Sequence, residues 1–246
     1  MKYAIADGKR VEAIKGLKAT CPVCSMEVVA RCGKQRIWHW AHLVHRACDS
    51  SKENETAWHR MWKDLFPSEW QEVTFKENSE KGYSRADVAT SKGLILEFQH
   101  SRIEEEERIA REEFYNNMIW VIDGTRLKRD YPKFLKAREE FINLGRPHVF
   151  RVDFCSEAFP ESWTQSKVPV IFDFLGQRDL EDHSDPRKFL YCLFPGFIGR
   201  YFVVAEFSRN AFIKAVINGE WEHRYLRFMN QLEVLREQWR TFTKGL

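Results

Sequence analysis

The sequence predicts an α/β protein in which helix, three strands, helix and strand follow one another, with a small Cys/His-rich module before them and an α+β region after. Three observations predict it. Apolar periodicity passes from helical to alternating and back to helical between residues 53 and 122. Cysteines and histidines crowd residues 21–48, and the last hundred residues read as short strands followed by one long aromatic helix. At 246 residues, 43% apolar and 14% aromatic, the chain has enough core-forming side chains to exclude a disordered or low-complexity protein.

Taken in order, β-prone pieces at 27–31 and 35–38 flank a turn at Cys32-Gly33-Lys34. A helix is expected over 53–66, where Ala57, Met61, Trp62 and Leu65 recur at helical spacing and Pro67 ends the run. Strands are expected at 72–76, 85–90 and 94–99, the last two joined as a hairpin by Ser91-Lys92-Gly93. A helix beginning at Ser101 puts Ile103, Glu107, Ala110 and Phe114 on one stripe, with Glu104 to Glu107 at its N-terminal dipole end. Residues 118–122 form a continuous apolar run, the mark of a buried strand. Beyond Pro132 a helix at 134–144 leads to strands near 149–154, 168–174, 189–194 and 201–207. In the final helix Trp221, Tyr225, Phe228, Leu232, Leu235, Trp239 and Phe242 form a face that packs on those strands or, alternatively, meets a partner or second copy. The pattern changes suggest three regions, 1–50, 51–146 and 147–246.

No apolar run approaches the ~20 residues of a membrane span, and Met1 to Arg10 lack a signal-like apolar stretch, so a cytosolic protein without a membrane partner is expected. In a reducing compartment closely spaced cysteines point to metal or redox chemistry. The net charge of +3 is too small to argue nucleic-acid binding by itself. Residues 1–50, however, hold nine Lys/Arg against four acids, Lys34 and Arg36 among the former. That surplus is either a phosphate-facing surface or a solvated basic face.

Cys21-Pro-Val-Cys24 offers two thiolates, and His39-Trp-Ala-His42 offers two imidazoles fourteen residues later. If the histidines open a helical turn, both rings converge and complete a tetrahedral, structural zinc site. The register stays open, because Cys32, His45 or Cys48 could replace one ligand. A second constellation is acidic. Glu97 lies amid Leu94-Ile95-Leu96 and Phe98, where a carboxylate is costly to bury without a cation, and alternation puts Gln99 on its face. Across a hairpin Asp87 comes opposite or diagonal to Glu97, giving two oxygen ligands for Mg²⁺. Glu55, His59 and Lys63, spaced by four, share a face of the preceding helix.

These motifs, namely Cys21-Pro-Val-Cys24 with His39-Trp-Ala-His42, Glu55-Thr-Ala-Trp-His59 with Lys63, Arg85-Ala-Asp87, and Glu97-Phe-Gln99 with Arg111 and Tyr115, resemble the CoiA-like competence proteins over about residues 1–125. The resemblance implies a restriction-endonuclease-like core of the PD-(D/E)xK superfamily behind a zinc-finger-like module. It makes Glu55 the helical acid, Asp87 and Glu97 the metal carboxylates, and Gln99 the occupant of the usual Lys position. Gln99 supplies no positive charge, which leaves Lys63 and His59 to position water or phosphate.

The implied activity is Mg²⁺- or Mn²⁺-dependent hydrolysis of DNA, in competence and recombination or in phage defence. Lys34, Arg36, Arg85 and Arg111 would meet the phosphate backbone. For Arg111, a solvated or core-bracing helix face is the alternative. The competing functional readings are a non-catalytic nucleic-acid-binding accessory protein, distinguished by binding without cleavage, and an interaction subunit docking a partner through its C-terminal half.

Overall fold

A computed structural model describes residues 1–43, 55–76 and 82–244, with side chains through 238. The chain divides into two units, Met1–Ala89 and Thr90–Leu246.

The first unit begins with five short antiparallel strands, β1 (Tyr3–Ala6), β2 (Lys9–Glu12), β3 (Ala19–Thr20), β4 (Glu27–Arg31) and β5 (His39–His42), ordered β2-β1-β3-β4-β5. Asp7 and Gly8 both take positive φ (48° and 71°), as a two-residue hairpin turn requires, so Ala6 pairs directly with Lys9. The core of this sheet is small: four alanines, Cys21, Val28 and Trp40. The strand expected at 35–38 forms instead at β5. Gln35, Arg36 and Trp38 are exposed, whereas Trp40 is 1% exposed and its indole N–H donates to the Val11 carbonyl, so core packing draws residues 39–42 into the sheet.

Helix α1 (Ala57–Asp64) follows. Thr56 is its N-cap, accepting from the His59 backbone N–H, while the His59 ring engages the Thr56 backbone N–H in return. The helix therefore starts later than 53–66 suggests, and Glu55 precedes it. Strands β6 (Gln71–Lys76) and β7 (Tyr83–Ala89) pair antiparallel, Gln71 with Val88 and Val73 with Ala86.

The second unit contains β8 (Ile95–Gln99), α2 (Glu105–Tyr115), β9 (Met118–Asp123), α3 (Asp130–Arg138), β10 (Ile142–Asn143), β11 (Val149–Val152), α4 (Cys155–Ala158), α5 (Glu161–Thr164), β12 (Val170–Asp173), β13 (Phe189–Leu193), β14 (Phe202–Ser208), α6 (Arg209–Ile217) and α7 (Trp221–Lys244). Its strands lie in the order β10-β11-β14-β13-β12-β9-β8. β9 runs parallel to both β8 and β12, and every residue of these three strands is buried, as their near-continuous apolar sequences require.

Aromatic side chains fill the interior. The Phe134 ring lies 4.3 Å from Phe174 and 4.4 Å from Tyr191, and Phe159 stacks on Phe172 at 4.4 Å. The first half of α7 packs as the core reading expects: Phe228 meets Phe194 at 4.5 Å, Trp221 meets Phe207 and Phe212, and Leu232 is buried; Leu235, expected on that face, is exposed, and the side chains of Trp239 and Phe242 lie outside the described residues.

Two helical expectations are corrected, and one helix is additional. α2 starts at Glu105, and Ala110 and Phe114 are exposed; the fully buried residues are Arg108 and Glu112, which form an ion pair at 2.8 Å. Glu112 also accepts from the Trp120 indole, Ser166 Oγ and the Lys167 backbone N–H, so this charge is satisfied from three sides. α3 begins at Asp130, because Pro132 falls in its first turn, where no N–H is needed. α6 has no counterpart in the sequence reading; Ser208 caps it by accepting from Ala211 N–H. Among the described residues, no helix is long and apolar enough to cross a membrane.

Candidate metal and carboxylate sites

In the first unit the chain between β3 and β4 turns tightly around Cys21. The Ser25 N–H donates to the Cys21 carbonyl at 3.0 Å, the Cys21 N–H to the Met26 carbonyl at 2.8 Å, and the Val23 N–H points at Cys21 Sγ at 3.4 Å. The loop delivers Cys24 Sγ to 3.3 Å from His42 Nε2, and the donor atoms of Cys21, Cys24 and His42 all lie within 4.8 Å of one another. Zinc–sulfur and zinc–nitrogen bonds of about 2.3 and 2.0 Å need this kind of spacing, so the donor set fits a structural zinc.

His39 is not part of the cluster, which corrects the four-ligand expectation. Both histidines are on strand β5, not on a helix, and residues three apart on a strand point to opposite faces. The His39 ring instead uses Nδ1 on the Ile37 carbonyl at 2.8 Å. Cys32 is half-buried nearby, against the same core; His45 and Cys48 lie outside the described residues.

The second cluster of this unit centres on Lys63, 2% exposed. Its ammonium pairs with Glu55 Oε1, with Glu72 Oε1 at 3.0 Å and with Asp87 Oδ1 at 3.8 Å. Burial alone would lower its pKa, but Glu72, Asp87 and Glu55 outweigh that and hold it above the ordinary lysine value. It is an ammonium at neutral pH. Burial would raise Glu72, yet Lys63 and Arg85 hold its carboxyl well below the usual range. Glu55 is likewise lowered, with Lys63 and Arg60 overcoming burial, and Arg60 Nη2 lies 2.5 Å from its Oε2.

Glu72 is the residue that sequence reasoning missed as a site member. The β6–β7 register on either side places it across from Asp87. Its backbone takes φ 49°, a left-handed conformation that costs a non-glycine residue about 1–2 kcal/mol, and its oxygens accept from the Lys2 backbone N–H at 2.9 and 2.8 Å. The only sequence signal was an acid at the start of a β-prone run, and alternation cannot foresee a positive φ. His59, expected beside the carboxylates, has a local role as the capping partner of Thr56. Arg85, expected on phosphate, is half-buried and its charge acts on Glu72. Lys34 and Arg36 are exposed between β4 and β5, where a phosphate backbone could reach them.

In the second unit Glu97 is 3% exposed on β8 and accepts from Arg111 Nη1 at 2.9 Å; Arg111 Nη2 donates to Glu107 at 2.7 Å. Its guanidinium is therefore a brace between two carboxylates, the alternative the sequence left open. Buried Gln99 turns its amide to the Ser101 carbonyl at 3.0 Å.

Comparison with known families agrees with these motifs. Residues 6–51, which include the Cys21/Cys24/His42 cluster, match the model of the competence protein CoiA N-terminal domain. Residues 73–144, which include Asp87, Glu97, Gln99 and Arg111, match that of the competence protein CoiA nuclease-like domain. No curated protein and no solved structure matches the chain.

Proposed function

Because the chain belongs to the CoiA-like family of competence proteins, we propose that it is a divalent-metal-dependent deoxyribonuclease with a restriction-endonuclease-like core, working in the cytosol on incoming or foreign DNA. The observation that carries this reading is the gathering of three carboxylates, Glu55, Glu72 and Asp87, on the single ammonium of Lys63. Such an oxygen-rich donor set fits a hard cation such as Mg²⁺ or Mn²⁺.

Glu55 and Asp87, which meet at Lys63, would hold the cation, and the family resemblance gives Glu97 the same role. The chemistry supplied there, once Mg²⁺ is bound, is acidification of a water and neutralisation of charge developing on the phosphate. Lys63, kept protonated by its carboxylates, cannot act as a base; it orients their oxygens and offers positive charge to a phosphate oxygen. Gln99 provides a neutral amide that orients water without adding charge. The zinc module keeps Lys34 and Arg36 on a folded support, where they bind the DNA backbone without reading sequence.

The test is incubation of the purified chain with plasmid, linear and single-stranded DNA in Mg²⁺ or Mn²⁺, alongside Asp87→Ala and Glu97→Ala. Cleavage that both substitutions abolish is expected; cleavage surviving both rejects the assignment. One pair of observations favours a second reading, a non-catalytic nucleic-acid-binding accessory role: position 99 is an uncharged Gln, and Glu97 is already neutralised by Arg111. Salt-sensitive DNA binding with no cleavage under any metal would select it.

A further inference from the structure

We propose that a cavity of about 560 Å³ in the second unit, at the carboxyl ends of β8, β9 and β12, binds a nucleoside monophosphate. The site contains neither Glu97 nor Gln99, and the proposal does not depend on the nuclease reading.

Position comes first. The three strands are parallel, β8 beside β9 and β9 beside β12, so their C-terminal ends and outgoing loops open on one side. In open α/β sheets this edge is where ligands lodge. Size comes next: pockets that enclose small molecules span roughly 300–1,000 Å³.

The chemistry narrows the class. Phe159, Phe172 and Phe174 form the floor beneath the cavity, with half-buried Leu127 and exposed Pro160 on its walls, an apolar seat for a flat base. Arg102, Arg126, Arg129 and Lys133 line the exposed part. Among the described residues Arg126 and Arg129 form no ion pair, so their guanidinium groups are available to a phosphate, which they match in shape. Of the two acids in the lining, Asp123 is already engaged, with Oδ2 2.7 Å from His100 Nδ1 and Oδ1 accepting from the Thr125 backbone and hydroxyl. Arg102 is paired with Glu104 at 3.6 Å and Lys133 Nζ donates to the Ser156 carbonyl at 2.7 Å, so Asp130 is the lining acid that faces Arg126 and Arg129, and burial pushes its pKa upward against the pull of Arg126, Arg129 and Lys133. The cavity therefore presents net positive charge above an apolar floor, the complement of a phosphorylated nucleoside. That ligand could be free, or it could be the 5′-phosphorylated end of a strand.

Calorimetric titration of the full chain without added Mg²⁺ tests this with deoxyadenosine 5′-monophosphate, deoxyadenosine, inorganic phosphate, and an oligonucleotide with or without a 5′-phosphate. The nucleotide should bind at least about tenfold more tightly than deoxyadenosine or phosphate, and Arg126→Ala with Arg129→Ala should weaken it by about tenfold or more. Tighter binding of the phosphorylated oligonucleotide than of the free nucleotide assigns the site to strand ends, and the reverse order assigns it to free nucleotide. Asp87→Asn should leave binding unchanged. No saturable binding, phosphate binding as tightly as nucleotide, an undiminished double variant, or loss with Asp87→Asn would each overturn the proposal.

Discussion

The two units treat buried charge differently. In the second, buried Arg108 and Glu112 pair at 2.8 Å, with exposed Glu105 at 3.8 Å from the same guanidinium, and Glu112 is further satisfied by Trp120, Ser166 and Lys167. In the first, Lys63 faces Glu55, Glu72 and Asp87 together. A closed pair holds structure and has nothing left to bind. Three carboxylates sharing one ammonium, with Arg60 on Glu55 and Arg85 acting on Glu72, form an open cluster that suffers mutual repulsion whenever Lys63 is lost. The cores differ in the same sense: small side chains around Trp40 and a Cys/His cluster in the first unit, stacked aromatic rings in the second. The smaller core stands beside a donor set that fits a metal ion, and the larger is built on burial alone.

The largest expected effect exploits that contrast. Removing zinc with a chelator, or substituting Cys24→Ser, should unfold the five-stranded module while the aromatic unit stays folded, since structural zinc contributes on the order of 10 kcal/mol. Hydrogen exchange resolved by unit reads this out; equal loss of protection in both, or in neither, would break the distinction. Next comes Lys63→Met, which leaves three half-buried carboxylates without their ammonium. A loss of about 3–5 kcal/mol is expected in denaturant unfolding, with partial rescue by added Mg²⁺. A neutral substitution would show that the carboxylates do not depend on this cation.

The smallest effect concerns surface charge in the second unit. Hydrogen bonds from Arg187 hold the Asp185 carboxyl down at about 2, below its ordinary 3.8. Its contribution is therefore complete above pH 4 and lost as pH falls toward 2. Asp185→Asn should flatten that part of the acid-stability curve by no more than about 1 kcal/mol, because the pair is close to solvent. A steeper curve in the variant would contradict the assignment.

Much of this was legible in the chain itself. The order α1, β6, β7, β8, α2, β9 follows from periodicity, and Cys21 and Cys24 declare themselves by a spacing only a turn can satisfy. Local errors arose where one pattern fits two conformations. His39 and His42 converge on a helix and diverge on a strand, and only the burial of Trp40 decides for the strand.

The sequence by itself determined the order of helix and strand from α1 to β9 and which residue types could bind a metal, because those properties depend on neighbours a few positions away. Tertiary structure alone decided that Glu72 joins Lys63, that Arg111 braces Glu97, that Arg108 and Glu112 are buried, and that four cations collect at one end of three parallel strands. Charge pairing acts through space and falls with distance, so its partners are set by how the elements pack and are invisible to any rule of spacing along the chain.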